Sequence, residues 1–107
     1  MAKVKITDPA NYDLIDIEYA ISIDLCNYVA SDRIIDGIIA KIESTSENPE
    51  MFQYVNDELL ANLGIRMTWF DNYNIFYFYD KTDDTMHILR ILYNKVDWQF
   101  MLHRDFL

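Results

Sequence analysis

Apolar residues recur at helical spacing over the first third of the chain and at strand spacing over the last third. Leu14, Ile17, Ile21, Leu25 and Tyr28 stand three or four residues apart with Asp13, Asp16 and Asp24 between them, which predicts one amphipathic helix. Asp8 followed by Pro9 reads as its N-cap and first helical position, since a carboxylate can accept an orphan amide and proline needs no donor there. The polar stretch Asn27 to Ser31 predicts a turn. From about Ser31, Ile34, Ile35, Ile38, Ile39 and Ile42 form the wide stripe of a second helix, which Asn48-Pro49 ends. Gly37, unfavourable inside that helix, reads as the mark of a close helix–helix contact.

Strand patterns lie on either side of this helical hairpin. Val4 to Ile6 is a short strand. Glu50 to Val55 reads as loop or strand, and Asp57 to Asn62 as one helical turn. Gly64 opens a strand over 65–70, Asp71-Asn72 makes a turn able to reach positive φ, and strands follow over 73–79 and 85–93. In the last strand strict alternation puts Met86, Ile88, Arg90 and Leu92 on one face and His87, Leu89, Ile91 and Tyr93 on the other. The order is strand, helical hairpin, three-stranded meander and short tail. It predicts a single α+β domain over 1–107, with an antiparallel helical hairpin packed on one face of a twisted antiparallel sheet. The second sheet face is then left to solvent or a partner.

Composition supports a packed domain: 51% of the 107 residues are apolar and 15% aromatic, against only two Gly and two Pro. No long apolar stretch follows Met1 to Ile6, so no signal peptide is expected, and no run has the length of a membrane span. A lone Cys26 suits a reducing cytoplasm. The net charge of −9 is uneven. Residues 1–59 carry four cations against twelve acids, while 60–107 carry five against six. The acidic half repels a phosphate backbone, which excludes broad nucleic-acid binding and leaves polyanion contact to the C-terminal cations. Cys26, His87 and His103 lack metal-ligand spacing, and no motif asks for a cofactor. Arg66, Arg90 and Lys95, set among aromatics, are the candidates for holding a phosphate chain beside stacked bases. For Arg90 the structural alternative is an ion pair with an acid such as Asp97, and for Arg66 and Lys95 it is a pair of exposed solubilising charges, which spacing alone favours.

Seven segments in fixed order then point to a family: Lys41-Ile-Glu-Ser-Thr-Ser-Glu-Asn-Pro-Glu50, Val55-Asn-Asp-Glu-Leu59, Gly64-Ile-Arg66, Asp71-Asn-Tyr73, Ile75-Phe-Tyr77, Ile88-Leu-Arg-Ile-Leu-Tyr93 and Asp97-Trp98. Over about residues 4–102 the chain resembles the RelE/ParE toxins of bacterial type II toxin–antitoxin (plasmid stabilisation) systems. The resemblance implies a cytoplasmic toxin, without cofactor or membrane association, held in a hetero-oligomer by a cognate antitoxin whose C-terminal segment folds across it. RelE-like members cut messenger RNA on the ribosome without a metal. On that reading Arg66 and Lys95 supply charge to the phosphate and His103 transfers the proton. ParE-like members poison DNA gyrase by binding, which would make Lys95, Asp97 and Trp98, with Arg90, the target contact. Asn94-Lys95-Val96 replaces the family's Gly-Arg-Arg or Gly-Lys-Arg run, Asn74 stands where ribonuclease members carry Arg, and Leu102 falls near their C-terminal Tyr. These departures, with an acidic pI near 4.4, raise the alternative of a non-toxic relative that keeps only the fold and antitoxin binding.

Overall fold

The computed structural model describes residues 1–107. Strand β1 (Lys3–Ile6) leads into helix α1 (Asp8–Tyr19), which runs on into a π-helical turn (Ala20–Asp24). Thr7, not Asp8, is the N-cap. Its amide is bonded to the carbonyl of Ile88 as the last rung of the sheet, so the chain leaves the sheet one residue earlier than Pro9 alone suggests. The Thr7 hydroxyl accepts from the amide of Ala10 at 3.3 Å, and Pro9 falls at the second helical position, where its missing amide still costs nothing. After the π turn the chain reverses at Leu25–Asn27, with Cys26 at φ 50°.

Helix α2 (Tyr28–Ser46) starts three residues before the expected Ser31, because Asn27 caps it by accepting from the amide of Ala30 at 3.0 Å. Gly37 does mark a close approach, but to the sheet: a Cβ there would run into the ring of Phe70. A long loop then leads through helix α3 (Glu58–Asn62), capped by Asp57, to strands β2 (Ile65–Phe70), β3 (Tyr73–Asp80) and β4 (Thr85–Tyr93). Asp71 takes the expected positive φ of 53° in the hairpin turn.

The strand order is β1-β4-β3-β2, with β1 parallel to β4 and the meander antiparallel. The helical hairpin carries the chain from β1 on one edge of the sheet across to β2 on the other, and the meander then returns β4 to lie beside β1. The backbone of Gln53 to Val55 bonds along the outer edge of β2, partly covering it. Strict alternation along β4 does not hold. Phe76 faces Arg90 while Tyr77 faces Ile88, so Leu89 is an extra residue in a β-bulge. Met86, Ile88 and Ile91 therefore share the hairpin face, and Leu92 turns to the other.

The main core lies between hairpin and sheet, where Leu14, Ile17, Ile38, Ile42, Ile75 and Tyr77 meet. The Tyr77 hydroxyl donates to the carbonyl of Pro49 at 2.7 Å, tying down the loop after α2, and burial pushes its pKa up to about 12. The far face is neither bare nor fronted by an irregular tail. The tail is a helix, α4 (Trp98–Phe106), which with α3 buries a second cluster of Val55, Leu60, Ile65, Phe76, Leu92 and Leu102. No helix is long and apolar enough to cross a membrane.

Candidate functional site

The C-terminal block that carries the sequence's chemistry is first of all a device for docking α4. Asp97 caps the helix, its carboxylate accepting from the amide of Phe100 at 3.1 Å. Trp98 turns its ring onto Phe76 with centroids 5.2 Å apart, closing that end of the second core. Both residues thus serve the helix start. Lys95 stands exposed in the preceding turn, which is fixed to the β2–β3 turn by a bond from the amide of Asn94 to the carbonyl of Asn72 at 2.8 Å.

Arg90 does not pair with Asp97. It reaches back 77 residues to Asp13 on α1, donating from Nε to Oδ2 at 2.8 Å and from Nη2 to Oδ1 at 2.9 Å. Its Nη1 donates to Asp105 on α4 at 2.7 Å. Oδ2 of Asp13 also accepts the amide of Ile91 at 2.9 Å, just past the bulge. The fork-to-carboxylate bonds of Asp13 hold the guanidinium above its ordinary pKa, opposed by desolvation. One cation thus clamps α1, β4 and α4 together, and only 12% of its side chain is exposed.

His103 faces away from the cations. Its Nε2 lies 2.7 Å from Oδ2 of Asp57, the α3 cap, and that hydrogen bond is the main reason the Asp57 carboxyl sits below the ordinary aspartate value. A carboxylate behind an imidazole is an arrangement that can orient a general base. The shallow groove beside it, however, is lined by Asp97, Gln99, Phe100 and His103, with no cation to receive a phosphate.

Arg66 lies across the sheet. Ile65 and Met67 face the second core, so Arg66, between them, points to the hairpin side with Thr68 and Phe70. Its guanidinium stacks 4.0 Å from the ring centre of Tyr54, and its Nη1 donates to the carbonyl of Phe52 at 2.7 Å. The structure therefore separates Arg66 from His103 by the thickness of the sheet.

Sequence reasoning missed the neighbours that Arg66 does have. Lys41 sits over the rings of Phe52 and Trp69, at 5.0 and 5.7 Å, and Phe52 and Trp69 meet edge to face at 6.0 Å. Arg66 on Tyr54 and Lys41 on Phe52 and Trp69 are two cation–aromatic groups along the β2 edge, joined through the 52–54 segment, where Tyr54 and Trp69 are each 52% exposed. Neither cation there has a carboxylate partner. The signal was Trp69 alternating outward on a strand followed by a turn, but the residues meeting it lie on α2 and in the 50–55 loop. No group of three or more His, Cys, Asp or Glu side chains is placed to hold a metal ion.

A β-strand, a helical hairpin crossover, an antiparallel meander and a docked C-terminal helix define a RelE/ParE-like toxin domain. The solved toxin–antitoxin complex RelBE2 from Mycobacterium tuberculosis contains a chain of this fold, with TM-score 0.64 at 20% identity over 86% of this chain and 96% of that one. The chromosomal ParDE system of P. aeruginosa contains another, with TM-score 0.66 at 18% identity over 87% and 96%. Among curated proteins none matches the chain in sequence. The family model for the ParE toxin of the type II toxin–antitoxin system parDE matches residues 4–98, and the chain belongs to that family.

Proposed function

We propose that the chain is a toxin neutralised by a cognate antitoxin, and that it acts by binding a target protein, DNA gyrase on the ParE model, not by cutting RNA. One observation carries the reading: Arg66 and His103 lie on opposite faces of the sheet, and the groove at His103 presents Asp97 and no cation where a ribonuclease needs cations. Arg90 is occupied by Asp13 and Asp105, which withdraws it from any substrate. The surface best suited to a protein target is the cation–aromatic β2 edge with Lys41, Tyr54, Arg66 and Trp69, and Lys95 at the same end of the sheet. Tryptophan, tyrosine and arginine are the usual anchors of protein interfaces.

The test is induction in a bacterial host without antitoxin, scoring growth, DNA damage and messenger RNA integrity together. The expected outcome is arrest with DNA damage and intact message. His103→Ala should remain toxic, while Trp69→Ala combined with Lys95→Ala should relieve arrest. Cleaved message, abolished by His103→Ala, would refute the reading. A second reading, a non-toxic relative, draws support from Asn74 and Asn94, neutral where active relatives carry cations or glycine. Normal growth with abundant soluble protein would establish it.

A further inference from the structure

Helix α1 is apolar on two opposite sides. Ala10, Leu14, Ile17 and Ile21 are buried in the main core, as one stripe requires. Tyr12, Ile15, Tyr19 and Ile23 recur at the same spacing on the outer side, and all four are exposed. The line continues over the hairpin tip through Leu25 and Tyr28, exposed by 71% and 65%. A packed helix in a small domain needs only one apolar stripe, so the second is surplus to folding. The outer stripe runs for about 16 Å, three helical turns.

Its rim is acidic. Asp8, Asp16, Glu18, Asp24, Asp32 and Asp36 are exposed on residues 8–36, where Arg33 is the only cation, and the two cations the fold brings beside Tyr12 and Asp16, Arg90 and Arg104, are each paired with an acid. A second copy of this chain would bring like charge against like. An apolar strip with a carboxylate border fits a helix that is apolar on one side and carries Lys and Arg along its flanks. The geometry points to this outer face of the hairpin as the docking surface for a cationic amphipathic helical segment of a partner protein. The inference rests on the antitoxin-binding part of the function proposed above and specifies what that partner must bring: its docking segment is basic.

Cys26, exposed at the tip and the chain's sole cysteine, reports on the site directly. The probe is a three-turn Leu/Lys peptide with leucines along one side and lysines on both flanks, beside a twin with glutamate for every lysine. The lysine peptide should bind the intact chain, slow maleimide labelling of Cys26 and weaken as salt is added. Ile15→Ser with Tyr19→Ser should lower its affinity at least roughly tenfold, and Asp16→Asn with Asp24→Asn should do the same. Asp80→Asn with Asp83→Asn, in the distant β3–β4 turn, should leave it unchanged. All these side chains are exposed or at turns, and unchanged thermal unfolding confirms that each variant folds. Equal binding of the glutamate twin, or binding indifferent to the Ile15 and Tyr19 changes, overturns the inference. So does self-association in ultracentrifugation that Tyr19→Ser abolishes. Growth on induction is scored separately: a chain that binds the peptide here yet permits growth sinks the toxin reading alone. One that arrests growth yet ignores the peptide sinks this inference alone.

Discussion

Asp13 shows how much one buried side chain can organise. Its two oxygens accept two bonds from Arg90 and one from the amide of Ile91, all within 2.9 Å, so the carboxylate neutralises a buried cation and also supports the irregular backbone beside the β-bulge. Removing it leaves a guanidinium with only Asp105 and an amide with no acceptor. Asp13→Ala should therefore cost about 3–5 kcal/mol, measured as a lowered midpoint in urea unfolding. The opposite case is Thr68, fully buried under α2 with a hydroxyl that meets no acceptor. Thr68→Val exchanges that hydroxyl for a methyl of nearly the same shape. It should leave stability unchanged or raise it by up to about 1 kcal/mol in the same assay.

Among the elements, α4 depends most on a few ties. Trp98 and Leu102 pack it down, Asp105 joins Arg90, and His103 joins the α3 cap Asp57. The His103 bond lowers the Asp57 pKa, which fixes the sign of its linkage to stability. The contribution is complete above the ordinary aspartate value of 3.8 and is lost as pH falls through the lower folded value, where the carboxylate protonates. Wild type should exceed His103→Ala in thermal midpoint at mild pH. The gap should close below the ordinary aspartate value, in a titration of melting temperature from about pH 6 to about pH 2. A gap that persisted at the acid end would mean that His103 acts through packing alone. The π turn at the end of α1 has its own polar tie: the carbonyl of Glu18 accepts the hydroxyls of Ser22 at 2.6 Å and Ser31 at 3.4 Å, joining the two hairpin helices near their tip.

At the scale of the whole molecule the chain is two unequal layers on one sheet, with the charge concentrated on one of them. The hairpin half carries most of the net −9, and its acids repel one another across exposed surface. Screening should relieve that strain, so the melting temperature should rise as sodium chloride goes from about 10 mM to about 0.3 M at neutral pH. A flat or falling response would show that local ion pairs such as the Arg90 clamp outweigh the general repulsion. The same uneven charge separates possible partners: the acidic hairpin suits a basic segment, while the cation–aromatic edge of β2 suits a different one.

Local order needed only the sequence. Apolar spacing and turn residues set the two hairpin helices, the three meander strands expected over 65–70, 73–79 and 85–93, of which only the middle one runs a residue longer, and the α+β class, because each depends on neighbours within a few residues. The family was legible too, since its motifs lie along the chain in order. What the tertiary structure decided are the pairings across the chain. The partner of Arg90 is Asp13, 77 residues away, where local reasoning offered Asp97. The bulge at Leu89 redirects the faces of β4, and alternation cannot show one extra residue when both faces are apolar. The C-terminal segment folds as a helix because a second core waits for Trp98 and Leu102 on the far side of the sheet. Arg66, Lys95 and His103 looked like one constellation because they all lie in the C-terminal half of the sequence. A sheet has two faces, and only the register of β2 and the docking of α4 determine which face each residue meets.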